Sequence, residues 1–176
     1  MFRKLARFIK NVFMSKMSAI TEPTYLLAGE YEKKSYLSFD FALSFHGLIP
    51  EAVYVYSSAM EHRKKRYFLQ KGHKIFSYQH IPQRAFSLGV NLMYENGLAF
   101  RIASPEKALC DKLFLMPQIH TVHEMEYILE DDLRIDMDVI PNLNMRLIKK
   151  LSELYPSRNV KILVRYLEKR ILCAKQ

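Results

Sequence analysis

The chain has 176 residues, enough for one globular domain, and its 49% hydrophobic and 26% charged composition exclude a disordered chain. A net charge of +9 points to an anionic partner, nucleic acid or a membrane surface. No run approaches the roughly 18–20 apolar residues of a membrane span, and the two cysteines, Cys110 and Cys173, show no metal-type spacing. The expectation is therefore a cytoplasmic protein with reduced thiols and neither metal nor cofactor.

Residues 2–14 have the pattern of a basic amphipathic helix. Phe2, Leu5, Phe8, Ile9, Val12 and Phe13 recur at helical spacing, with Arg3, Lys4, Arg7 and Lys10 on the other face. These four cations are candidates for partner or nucleic-acid contact. Residues 1–17 are assigned to this helix and 18–34 to a linker, because Thr21-Glu22-Pro23 and Gly29 interrupt the pattern. Residues 35–176 then form a single α+β domain.

Within that domain, Ser38 is placed to cap a short helix that ends at Gly47. Residues 52–58 are β-rich, and residues 66–81 read as two strands around Gly72. Glu95-Asn96-Gly97 separates two further strands, and Asn-Gly is a strong hairpin signal because its turn needs positive φ. The middle of the chain thus reads as an antiparallel β-meander. From Ser104 onward the pattern is helical: an acidic helix over 122–133, then a basic hairpin over 141–155 and 157–173.

The stretch RIASPEKALCDKL raises the question of catalysis. Glu106 and Lys107 resemble an acid–base pair, yet helix construction explains every residue. Ser104 suits the cap, Pro105 the first helical position and Glu106 the positive end of the dipole. Lys107 and Asp111 are four apart and are expected to pair on the exposed side. An enzyme reading requires a third polar group nearby.

Other catalytic patterns are weak. Glu124, Glu126, Glu130, Asp131, Asp132, Asp136 and Asp138 lack cation-loop spacing and read as a solvated or partner-binding acidic face. His120 and His123 lack a helical HExxH context. The basic elements carry more signal. Arg63, Lys64, Lys65 and Arg66 form a loop suited to phosphate contact. In the last helix Lys161, Arg165 and Lys169 step by four below Arg158. That stripe suits a phosphate backbone or, equally, the acidic helix upstream.

Three blocks together resemble the AbiEi-type antitoxin and transcriptional-regulator family. They are Ser38 with Ala42-Leu43 and the run His46 to Glu51, then Phe76-Ser77-Tyr78 with His80-Ile81, and finally Arg101 to Leu109 with Asp111. The resemblance implies a non-enzymatic antitoxin of a type IV toxin–antitoxin or abortive-infection system, active in phage defence and repressing its own operator. It implies a nucleotidyltransferase-like toxin as functional rather than stable physical partner. Family members carry an N-terminal winged helix, and the residues before Tyr36 are too few for a complete one. DNA contact is then expected through the basic surfaces. The alternatives are a protein-interaction module, self-associating or docking a partner through the N-terminal helix, and a divergent nuclease.

Overall fold

The computed structural model describes residues 23–61, 67–71 and 73–173. The segment 1–17 with Arg3, Lys4, Arg7 and Lys10 lies outside the described residues, as does the basic run from Arg63 to Arg66.

Six strands make one sheet: β1 (Ser35–Leu37), β2 (Val55–Met60), β3 (Tyr67–Lys71), β4 (Lys74–His80), β5 (Val90–Glu95) and β6 (Leu98–Ala103). Seven helices are found among the described residues: α1 (Ala28–Tyr31), α2 (Phe39–Phe45), α3 (Gln83–Phe86), α4 (Pro105–Leu115), α5 (Val122–Tyr127), α6 (Met145–Leu154) and α7 (Arg158–Cys173). The class is α+β. The last turn of the acidic helix, Ile128–Asp132, widens to a π-helix.

The two hairpins, β3–β4 and β5–β6, are antiparallel as their turns require. Asn96 and Gly97 both have positive φ, 51° and 78°, the geometry of the tightest hairpin turn. The whole sheet is not an antiparallel meander, however. Its order is β3-β4-β2-β1-β6-β5, with β2–β4 and β1–β6 parallel and β1–β2 antiparallel. Each hairpin is inserted as a unit beside a non-sequential strand. The linker assignment for 18–34 also changes. Thr24–Leu27 forms a 3-10 turn continuous with α1, and Leu26 and Ala28 are core residues.

Register and alternation divide the core between the two sheet faces. Leu37, Ser58 and Tyr78 share one face; Tyr36, Ala59 and Gln79 share the other. On the first face the Tyr78 hydroxyl donates to the Ala28 carbonyl at 2.7 Å and Tyr31 meets Phe76 edge-on. Tyr25, Phe41, Tyr56 and Phe76 continue this array at centroid spacings of 5.2–5.5 Å. On the second face Tyr36 packs on Phe86 of α3 and reaches α4.

Helix ends are tied by side chains. Asn159, at the start of α7, donates to the carbonyls of Leu113 and Pro117, both at 2.9 Å, and accepts from the Ile119 amide at 2.8 Å. One buried amide thus satisfies the carboxyl end of α4 and the chain leaving it. Asn159→Ala is expected to cost about 2 kcal/mol, read as a lower urea midpoint at unchanged slope. A shift near zero would mean that water replaces the amide.

Candidate functional site

The stretch that suggested catalysis folds as a capped helix. The Ser104 hydroxyl accepts from the Lys107 amide, Pro105 occupies the first turn, and α4 follows. Glu106 does not pair with Lys107. It accepts from the Ser104 hydroxyl and the Asn144 amide, each at 2.8 Å, joining the start of α4 to the start of α6.

Lys107 and Asp111 do pair, at 2.8 Å, but not on the exposed side: both are 0% exposed. The correction has a physical cause. α4 packs against α2, α6, α7 and the sheet, so both its i,i+4 polar face and its apolar face are covered. Buried charge needs full coordination, and Asp111 has it. Its carboxylate accepts from the hydroxyls of Tyr36 at 3.0 Å and Ser38 at 2.6 Å, from Lys107, and from Tyr155. The Lys107 ammonium also meets the Tyr155 hydroxyl and lies 4.7 Å from the Tyr155 ring centroid and 5.5 Å from that of Tyr36.

This network explains a second departure. Ser38 precedes α2 in the N-cap position but makes no cap hydrogen bond, because its hydroxyl is committed to Asp111. Ser38 is further clamped by Ser57, whose carbonyl accepts from the Ser38 amide and whose hydroxyl donates to the Ser38 carbonyl. Between these ties Phe39, buried, is held at φ 56°, a strained conformation for a bulky residue. Tyr36, Ser38 and Tyr155 were not legible as partners of Asp111. Only the i,i+4 spacing of Lys107 and Asp111 hinted at the cluster.

The chemistry available there is limited. Every acceptor position on Asp111 points to a protein donor, and no side chain of the pair reaches solvent. Cys110 beside it is buried, and burial first, then the Asp111 charge, pushes its thiol pKa up, which keeps the nucleophile protonated. The Tyr36 and Tyr155 phenols are also held well above their ordinary value, by burial and then by Asp111. The sign of the pH effect follows. An unfolded chain ionises these phenols at about pH 10, the folded chain only higher. Their stabilisation is therefore full below about pH 10 and is lost as pH rises beyond it. The urea midpoint is expected to fall in that range more steeply in the wild type than in Tyr155→Phe; parallel curves would count against the assignment.

The basic candidates of the last helix lie on the surface. Arg158, Lys161, Arg165 and Lys169 are all exposed on α7, opposite the buried Val160, Leu163 and Leu167. At about 100° and 1.5 Å per residue, the four cations fall within about 80° of arc and roughly 16 Å of axis. About five phosphates of one DNA strand span that length at one per roughly 3.4 Å. Arg158 donates to the His120 carbonyl at 3.3 Å. Lys161, Arg165 and Lys169 have no ion-pair partner among the described residues.

The acidic helix is contacted from elsewhere. Arg170, about half a turn around α7 from Lys161, pairs with Glu130 at 3.1 Å. Lys149 of α6 takes Glu168 at 2.7 Å. Lys169 borders a groove of about 250 Å³ with Tyr166, Arg170, Val122 and Glu126. His123 sits within α5, exposed, with Glu126 at 3.5 Å. Among the described residues no group of three or more His, Cys, Asp or Glu is placed to hold a metal, and no helix is long and apolar enough to cross a membrane.

No family model and no curated protein matches the chain.

Proposed function

We propose that this protein is a non-enzymatic, DNA-binding regulator of the bacterial cytoplasm, with the AbiEi-like antitoxin role that its three sequence blocks suggest. The observation that carries the reading is the α7 stripe. Two partners compete for it on sequence grounds, a phosphate backbone and the acidic helix. Among the described residues Lys161, Arg165 and Lys169 make no ion pair with that helix's carboxylates, even though Lys169 borders the same groove as Glu126, and Arg170 takes Glu130 instead. Three cations about 6 Å apart on a rigid helix, with no ion pair among the described residues, suit backbone contact without base reading.

The buried Lys107–Asp111 pair supports the non-enzymatic part, since a substrate has no route to a fully enclosed pair with all its donors and acceptors committed. In this reading the pair holds the domain together and the surface binds. A nucleotidyltransferase-like toxin is its functional counterpart, opposed through repression rather than through a stable complex.

A gel-shift titration against the DNA upstream of its own gene, at two salt concentrations, tests the proposal. Binding is expected at low salt and should weaken steeply as salt rises. Absence of binding at low salt would remove the DNA claim.

A further inference from the structure

β5 closes one end of the sheet order, with β6 on one side and no strand on the other among the described residues. The hairpin settles which of its backbone groups face outward. Glu95 and Leu98 flank the two-residue turn, which makes them a hydrogen-bonded pair. At the far end of the same register the Ser104 amide donates to the Gly89 carbonyl at 2.8 Å. Bonded pairs alternate along an antiparallel ladder, so Gly89, Asn91, Met93 and Glu95 turn their backbone toward β6. Val90, Leu92 and Tyr94 turn theirs to the open edge.

Natural sheets blunt an open edge with lysine, proline or a bulge. β5 has none of these: it reads Val-Asn-Leu-Met-Tyr-Glu, and its ladder with β6 is unbroken. Its one charge, Glu95, accepts from the Tyr25 hydroxyl. Leu92 and Tyr94, 58% and 71% exposed, stand on the same face of the strand. β3, at the other end of the sheet, directly follows the four cations Arg63 to Arg66 in the sequence.

We infer that β5 is the dimer edge of this protein: a second copy adds its own β5 antiparallel, across a two-fold axis through Leu92, to make one continuous sheet. That axis sets Leu92 against the copy's Leu92, and Val90 against its Tyr94. All three outward residues then meet outward residues, in about six backbone hydrogen bonds. Moving the axis by one residue either way sets one of the three opposite Asn96 or Leu88, outside the strand. Cross-strand apolar pairs cover the exposed Leu92 and Tyr94 side chains. Charge selects the occupant. The chain carries +9, and two copies repel wherever their cations meet. β5 carries no cation, so a copy can approach there. For the same reason the strand offers nothing to nucleic acid, and the inference is independent of the DNA reading. Six residues at about 3.4 Å each give a strip about 20 Å long. That length places the contact at the low end of specific interfaces, where association is weak and reversible. The two-fold fills the edge on both copies, so this pairing stops at two.

The test is sedimentation of the full chain without DNA, from about 5 to 500 μM. The average mass is expected to rise with concentration toward twice that of one chain. Leu92→Lys sets two ammoniums directly opposite each other across the axis, and Leu92→Glu two carboxylates; like charges in that position destabilise a strand pair. Each variant alone should associate about tenfold more weakly or not at all, and an equimolar mixture of the two should recover the dimer. Amide hydrogen exchange of the wild type reads the same ladder without any substitution, which keeps the test decisive if a variant folds poorly. The Val90, Leu92 and Tyr94 amides should exchange more slowly as concentration rises, while those of Asn91 and Met93 stay slow throughout. A monomer at every concentration, a dimer that Leu92→Lys leaves intact, a mixture that stays monomeric, or protection without the two-residue alternation would overturn the inference.

Discussion

Asp111→Ala is expected to destabilise the protein by about 3–5 kcal/mol, the cost of breaking a buried ion pair from one side. The variant leaves the Lys107 ammonium enclosed without an anion, and strips the Tyr36, Ser38 and Tyr155 hydroxyls of their acceptor. At about 2–4 °C per kcal/mol for a domain of this size, the thermal midpoint should fall by about 6–20 °C. Removing both charges together, as in Lys107→Met with Asp111→Leu, should recover a substantial part of that loss, because no charge then remains buried alone. A double-mutant cycle by urea denaturation measures the coupling. The cluster would lose its structural role if Asp111→Ala cost under about 1 kcal/mol. A catalytic pair predicts the reverse pattern, modest loss of stability and complete loss of activity.

The second large effect is on DNA binding. Replacing Lys161, Arg165 and Lys169 together by Gln removes the part of the α7 stripe that has no ion pair among the described residues, from exposed positions on the solvent side of a well-packed helix. Stability should change by no more than about 0.5 kcal/mol per substitution. The slope of log affinity against log salt should become shallower by about 2.7, at about 0.9 for each lost phosphate contact. Between 50 and 200 mM salt, the wild type would then lose about fortyfold more affinity than the variant. Fluorescence anisotropy with a labelled duplex measures both slopes. Identical slopes would place the DNA elsewhere on the protein, whatever the absolute affinity.

Much of the local structure was legible because its causes are local. Asn96-Gly97 needs positive φ and makes the β5–β6 turn. Ser104-Pro105 starts α4, and the spacing of Val160, Leu163 and Leu167 sets the buried face of α7. The stripe of α7 could be read for the same reason, since one helix carries all of it. That it makes no ion pair with the acidic helix among the described residues could not, because that depends on where the acidic helix packs.

The sequence by itself determined the α+β class, the hairpins, the helix starts and the basic surface of the last helix. Each depends on neighbours within a few residues, through dihedral preference, capping or periodicity. Only the tertiary structure decided the parallel pairings of β1 with β6 and β2 with β4, which join strands distant in sequence and leave no turn signal. It also decided the fate of Lys107 and Asp111. Their spacing guaranteed that they meet, but whether they meet in water or in the core depended on Tyr36, Ser38 and Tyr155 arriving from three other parts of the chain. The coordination that those residues supply is what allows the ion pair to be buried.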